Sequence, residues 1–222
     1  MSLYTISTSD KLPLLPKPAG IKIEQSTDAE LLSALCGSTE EDVRKRLAND
    51  HLAFVAYIHN QPAAFGWMAR RKAKIGELNH EFVLPAGNRY LWNFRTMAAY
   101  RGLGIYPYLL QYMIQYEGNK ANRFWVIHAP ENKSSLRGIL KAGFQYVGTL
   151  YTKGDGTTAL ESLDSSKAFS NILEAMRFNI SEESPASCWN CSSPYLKKRE
   201  PSCCCTAAET ECNSNSLLSM AS

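Results

Sequence analysis

Two apolar runs, Leu52–Ile58 and Ala63–Ala69, flank His59-Asn60-Gln61-Pro62, and this spacing predicts adjacent antiparallel strands joined by a hairpin turn. Ahead of them, Ile21–Gln25 reads as a short opening strand. Thr27 or Asp28 then caps a segment in which Leu31, Leu32 and Leu35 recur, and Ser38–Asp42 caps another carrying Val43 and Leu47. Both predict amphipathic helices lying on a surface. Residues 77–84 have strand character, and the turn residues Pro85-Ala86-Gly87-Asn88 lead into a further strand over 89–95. Tyr106, Leu109, Leu110, Met113 and Glu117 recur at helical spacing up to Gly118, with Pro107 tolerable because it lies in the first turn. Phe124–Ala129 is the short continuous apolar run of a central strand. Asn132–Ala142 predicts a helix stopped by Gly143, Phe144–Tyr151 a strand, and Ser166–Phe178 a helix with Phe169, Ile172, Leu173 and Met176 on one face.

These elements mix strands and helices in an α/β (α+β) order. The chain has 222 residues, 45% of them hydrophobic, enough for one domain with a sizeable core. The expected boundaries are an N-terminal extension over 1–20, a domain over 21–180 and a flexible, Cys-rich tail over 181–222. Formal charge is only +3 and is spread along the chain, which argues against nucleic acid as a partner. No apolar run approaches the roughly 20 residues of a membrane span. The first residues carry Pro13, Pro16 and Pro18 and lack the apolar core of a secretion signal, so a cytoplasmic location is expected.

The stretch most suggestive of chemistry is Arg101-Gly102-Leu103-Gly104-Ile105-Tyr106, where a strand breaks at paired glycines and a helix begins. A helix start presents unpaired N–H groups and the positive end of the helix dipole, and glycines there leave no side chain in the way of a phosphate. A nucleotide-binding loop of the Walker type would need a Gly-Lys-[Ser/Thr] ending, which is missing, and a dinucleotide fingerprint belongs at a first βα turn.

Together with Asn132-Lys-Ser-Ser-Leu-Arg-Gly-Ile-Leu-Lys-Ala-Gly-Phe144, this turn resembles the GNAT superfamily of acyl-coenzyme A-dependent N-acyltransferases over residues 21 to about 152. The resemblance implies a mixed, mostly antiparallel central sheet flanked by helices. It implies acetyl-CoA or another acyl-CoA as cosubstrate, with its pyrophosphate on Arg101, Gly102, Leu103, Gly104, Ile105 and Tyr106. The pantetheine arm would run along Phe94, Arg95 and Thr96, with Asn132 and Ser135 near its end. The acceptor would be an amine, of a small molecule or a protein, and the chain a monomer or homodimer.

One position departs from the family. Many members carry a tyrosine four residues before the glycine of the Gly-Phe pair, as acid for the departing thiolate, and here that residue is Ile139. Tyr106, His128, Ser134, Ser135 or water are the candidate replacements. Glu81 is the candidate general base, with Glu77 on the same strand face and His80 on the other. A non-catalytic CoA-binding regulatory module is the alternative that Ile139 favours. The tail offers another, a thiol- or metal-sensing protein: Cys188-Trp-Asn-Cys191 has metal-ligand spacing, and Cys203 and Cys205 could complete a zinc site.

Overall fold

The computed structural model describes residues 1–153 and 155–183. In chain order the elements are β1 (Ser2–Ser7), β2 (Ile21–Ser26), α1 (Ala29–Cys36), α2 (Glu40–Ala48), β3 (His51–Ile58), β4 (Gln61–Ala69), β5 (Lys72–Ile75) and β6 (His80–Val83). There follow β7 (Asn88–Thr96), α3 (Ile105–Glu117), β8 (Arg123–His128), α4 (Lys133–Lys141), β9 (Gln145–Thr152), β10 (Thr158–Glu161), α5 (Asp164–Lys167), α6 (Ser170–Ala175) and β11 (Asn179–Ser181).

Among the described residues the main sheet has nine strands in the order β11-β10-β9-β1-β8-β7-β4-β3-β2, and β5 pairs with β6 in a separate ribbon. Only β7/β8 and β10/β11 pair in parallel; the other neighbours are antiparallel. This is the mixed, mostly antiparallel sheet flanked by helices that the resemblance implies.

The continuous apolar runs of β3 and β4 reflect burial on both faces. Phe54, Ala56 and Met68 pack in one core with Leu109, Leu110 and Met113 of α3. Their strand neighbours Ala53, Val55 and Trp67 pack on the opposite face with Leu32 of α1 and Val43 of α2. The caps are as expected: Asp28 accepts from the Leu31 N–H and Thr39 from the Asp42 N–H. Gly37 ends α1 in the left-handed region, at φ +67°.

Several expectations need correction. Residues 1–20 are not an appendage, because β1 lies in the middle of the sheet, antiparallel to both β8 and β9. Leu3, Tyr4 and Ile6 are each only 1% exposed. A strand buried on both faces carries no period-two signal, and the prolines that follow obscured it. A strand not expected from the sequence, β5, occupies Lys72–Ile75. The strand expected over 77–84 is instead a 3₁₀ turn at Gly76–Leu78 followed by β6, with Asn79 at φ +46° between them. The helix expected over 166–178 is two short helices, α5 and α6, and it is followed by β11. Those segments are held by tertiary contact, as Leu173, Met176 and Phe178 are buried in a core with Leu150, Leu160 and Trp125. The tail cysteines Cys188, Cys191, Cys203 and Cys205 lie outside the described residues.

A buried ion triad fixes the far end of α3. The Glu117 side chain is 0% exposed and lies between Arg70 and Arg89. Arg89 Nε donates to its Oε2 at 2.6 Å and Arg70 Nε to its Oε1 at 3.1 Å. Arg89 also donates to the Asn88 and Lys120 carbonyls, at 2.9 and 2.7 Å. Removing one partner of such a cluster strands the remaining charges in a desolvated place. Glu117→Ala is therefore expected to lower folding stability by about 3–5 kcal/mol. Urea denaturation measures this, and an unchanged midpoint would show that the triad contributes nothing.

Candidate active site

Strands β7 and β8 pair only from Asn88/Arg123 to Leu91/Val126. Beyond that point they part, and β7 runs on to Thr96 with its β8-facing edge open. α3, which connects them, begins beside this opening, and so does α4. The gap between the strands is the candidate site.

The course of β7 through the gap is set by a bulge. Opposite Gly66 of β4, the β7 strand has both Asn93 and Phe94, because Phe65 pairs with Arg95 and Trp67 with Trp92. Asn93 takes φ +50°, a left-handed value that asparagine tolerates better than most residues. The Phe94 ring lies directly over Gly66, where an added Cβ would come within 2.1 Å of Cε1. Gly66 thus makes room for Phe94 to line the site.

At the start of α3, Gly104 is the N-cap residue in the left-handed region at φ +73°, and Gly102 has φ +83°. An added Cβ at either would meet nothing within 4 Å, so the space above the turn is open. Helix geometry leaves the Ile105 and Tyr106 N–H groups without an intrahelical acceptor, and Pro107 has none to leave. An outer groove runs over this turn, lined by Phe94, Arg95, Thr96, Arg101, Gly102, Gly104, Ile105, Tyr106, Asn132 and Ser135. Leu103, expected in the same turn, is 53% exposed beside it. Sequence reasoning missed the groove's other basic residues, Arg137 and Lys141 on α4. Their i, i+4 spacing was the available signal. With Arg95 and Arg101 they give the groove four cations, and no carboxylate stands among its described lining residues. Arg101 Nε donates to the Thr96 carbonyl at 3.3 Å, so this side chain also closes the turn.

Asn132 caps α4, its Oδ1 accepting from the Ser135 N–H at 3.0 Å and from the Ser134 hydroxyl at 2.9 Å. On the next turn stands Gly138, against which the Tyr106 ring is packed. A Cβ there would lie 2.3 Å from Tyr106 Cδ1. Tyr106 also meets Phe94, with ring centroids 5.2 Å apart, and its hydroxyl is 3.4 Å from Ser135 Oγ. Burial pushes the Tyr106 phenol up to about 12, the Ser135 contact opposing only in part, so the hydroxyl keeps its proton at neutral pH. Ile139, by contrast, is 0% exposed and belongs to the core.

Phe94, Tyr106, Asn132 and Ser135 also line a second, inner hollow on the other side of the gap. There they are joined by Glu77, Trp92, Ile127, Ala129 and His128. The His128 ring is buried and its Nε2 bonds the Asn132 carbonyl at 2.9 Å. Because a carbonyl only accepts, Nε2 carries the proton and donates. Tyr106 and His128 are thus brought together around the inner hollow, and Glu81 is not. The 3₁₀ turn breaks the alternation that would place Glu77 and Glu81 on one face. Glu81 faces Lys74 at 3.5 Å and lines two other recesses. Among the described residues no cluster of His, Cys, Asp or Glu could hold a metal ion, and no helix is long and apolar enough to cross a membrane.

No protein-family model matches the chain, and no curated protein does. It is similar to a GCN5-related N-acetyltransferase from Kribbella flavida, with TM-score 0.48 and 18% identity over 65% of this chain and 53% of that one. A GNAT-family acetyltransferase structure from Novosphingobium aromaticivorans matches with TM-score 0.46 and 18% identity over 65% of this chain and 59% of that one. An acetyltransferase from Clostridium acetobutylicum, solved with acetyl-CoA, matches with TM-score 0.41 and 17% identity over 56% of this chain and 90% of that one. The chain spans 53% and 59% of the length of the first two.

His128, His51 and His80 each have a pKa held below the ordinary 6.5, in each case mainly by burial. A depressed histidine pKa means that the unfolded chain takes up protons first as pH falls. Stability is then complete above about 6.5 and declines below it. The melting temperature is expected to fall between pH 7 and pH 5, as differential scanning fluorimetry would record. A flat or rising curve would contradict this placement of the rings.

Proposed function

We propose that the chain is an acyl-CoA-dependent N-acyltransferase of the GNAT superfamily, passing an acyl group from the outer groove to an amine in the inner hollow. The observation that supports this best is the junction of the two hollows at Phe94, Tyr106, Asn132 and Ser135, inside a parting of parallel strands. The groove's residues fit the cosubstrate's polar parts. Backbone N–H groups of the 101–106 turn and the positive end of α3 suit a pyrophosphate, and four cations add to the attraction. The open edge of β7 over Phe94–Thr96 offers peptide groups to the amide-bearing pantetheine arm.

Acyl-CoA, when bound, supplies a thioester carbonyl and a thiol leaving group. As the C–N bond forms and the C–S bond breaks, the amine's proton leaves to water, and the chain's own work is orientation, polarisation of the carbonyl by backbone N–H groups near the bulge, and delivery of one proton to the departing thiolate. Tyr106 is the donor we assign: its protonated hydroxyl stands where both hollows meet. It approaches from α3 across the space that Gly138 leaves free, and so replaces the α4 tyrosine whose position Ile139 holds. His128 acts as a positioning residue, its Nε2–H tying the end of β8 to the Asn132 carbonyl just ahead of α4. The buried Ile139 also favours a second reading, a module that binds coenzyme A without turning it over.

Titration calorimetry with acetyl-CoA tests the shared part of both readings: saturable binding is expected, and no heat at millimolar ligand would overturn them. Gly104→Val should weaken that binding at least about tenfold, since a Cβ-branched residue both strains a left-handed φ and fills the cradle. Release of free thiol with an amine panel separates the readings, because a non-catalytic module releases none. Tyr106→Phe is expected to lower kcat by about 10²-fold or more while the acetyl-CoA dissociation constant stays within about twofold. An unchanged kcat would remove Tyr106 from the chemistry.

A further inference from the structure

We infer that the recess between α2 and the β5–β6 ribbon is a second ligand site, and that it takes a small organic dianion, a phosphomonoester or a dicarboxylate, gripped by the Arg46 guanidinium. This goes beyond the acyltransferase reading and does not depend on it. The recess has a volume of about 560 Å³, in the range of small-molecule sites. Of its described lining residues only Lys74 is shared with the inner hollow, and none with the outer groove.

Arg46 is the first observation. It comes from the last turn of α2, and its Cζ stands 5.3 Å from the centre of the Trp67 ring and 4.9 Å from that of Trp92. Contact with two indoles holds the guanidinium in place. Its N–H donors stay unspent, because among the described residues the only acceptor they meet is Cys36 Sγ, at 4.0 Å. A guanidinium already ordered, with free N–H groups, is a fork for a carboxylate or a phosphate, and it has little side-chain freedom left to lose on binding. The rings beneath it carry more unspent polarity. Nε1 of Trp67, Nε1 of Trp92 and Nδ1 of His51 are buried without a partner among the described residues. The three rings are neighbours, with Trp92 5.4 Å from His51 and 6.1 Å from Trp67. Native folds leave few such atoms, and three on adjacent rings set this floor apart from an ordinary solvated surface.

Charge is the second. In the antiparallel ribbon Lys72 lies opposite Val83, and Lys74 opposite Glu81. These four share the ribbon's exposed side, since Ala73, Ile75 and Phe82 between them are buried. Lys74 thus meets a carboxylate, at 3.5 Å, while Lys72 faces an apolar residue that is 55% exposed. On α2, Lys45 is paired with Glu41 at 2.8 Å. Arg177 reaches the recess from the turn after α6. Its φ of +60° is uncommon for an arginine, and the buried Met176 and Phe178 on either side hold it there. Among the described residues no carboxylate forms an ion pair with Arg46, Lys72 or Arg177. The remaining acid of the lining is Asp42, whose Oδ2 accepts from the Thr39 hydroxyl at 2.8 Å. His51 adds no charge at neutral pH: burial holds its pKa below the ordinary 6.5, and its Nε2–H donates to the Lys72 carbonyl at 2.9 Å. Three unpaired cations and one unpaired carboxylate leave a surplus of two positive charges, which one dianion cancels. A monoanion meets only half of it and an amine is repelled. Val83, beside Lys72, offers apolar surface to the ligand's carbon body.

The test uses the full chain in a phosphate-free buffer of low ionic strength. Tryptophan fluorescence, which senses a ligand on Arg46 through Trp67 and Trp92, is followed during titration with phenyl phosphate, glutarate and benzoate. A saturable change is expected with phenyl phosphate or glutarate, at a dissociation constant at least about tenfold below that of benzoate, and the tighter of the two identifies the acidic group. Arg46→Gln should weaken this binding about tenfold or more, the worth of a hydrogen bond between charged groups. Lys72→Gln, at an exposed strand position, should weaken it about twofold to fivefold without moving the melting temperature, and decides alone should Arg46→Gln not fold. A chain carrying both Arg137→Gln and Lys141→Gln lacks two cations of the outer groove and should bind as before. No saturable change with either dianion would overturn the inference, as would equal affinity for benzoate or undiminished affinity in the Arg46 and Lys72 variants. Loss of binding in the groove variant in their stead would assign the dianion to the outer groove and overturn it too.

Discussion

A buried carboxylate governs where everything else can go. Glu117, at the last turn of α3, is held by Arg89 at the start of β7 and by Arg70 in the connection between β4 and β5. It pins the C-terminal end of the helix to the zone where β7 and β8 are still paired. From there the helix crosses the core formed by Phe54, Ala56, Met68 and Leu91, and its N-terminal end arrives at the zone where the strands have parted. A charge cluster of this kind is costly to bury, and its arrangement is correspondingly specific. The clamp and the parting are two ends of one constraint, since a helix anchored at one end presents its unpaired N–H groups at the other.

The parting leaves an open strand edge, which proteins usually protect. Here it is shielded by geometry: α4 and the Gly-rich turn flank it, and the bulge at Asn93 and Phe94 bends β7 away from β8. The other side of β8 is closed by β1, the first strand of the chain, which sits between β8 and β9. A segment from one end of the sequence therefore completes the strand pair that ends at His128. Every strand carrying a wall of the inner hollow is thus supported on a side that the hollow does not use.

Two paired substitutions of space shape the chemistry of the junction. Gly66 has no side chain, and the Phe94 ring occupies the room; Gly138 has none, and the Tyr106 ring occupies that. The two aromatic rings then meet each other at 5.2 Å. The hydroxyl of Tyr106 is brought to Ser135, and Ile139, the residue after Gly138 on α4, turns inward to the core. A tyrosine on α3 can therefore reach this junction, provided the facing position on α4 is glycine.

The sequence by itself determined the elements with strong periodicity or clear punctuation. The β3–β4 hairpin, α1 and α2 with their caps, α3 with its glycine start, and α4 with its asparagine cap follow from local chemistry: apolar spacing, orphan N–H groups and left-handed turns. The open glycine turn ahead of α3 was legible for the same reason, because a helix start after paired glycines is a local feature. What the tertiary structure decided was everything non-local. The central place of β1 depends on pairing across more than a hundred residues, which a six-residue strand with five buried positions cannot announce. Glu77 and Glu81 look equivalent in an alternating strand, yet a 3₁₀ turn sends them to different hollows, and Leu78 of that turn is buried in the core. The role assigned to Tyr106 likewise needed Gly138 beside it, a contact between residues 32 positions apart that no local pattern encodes.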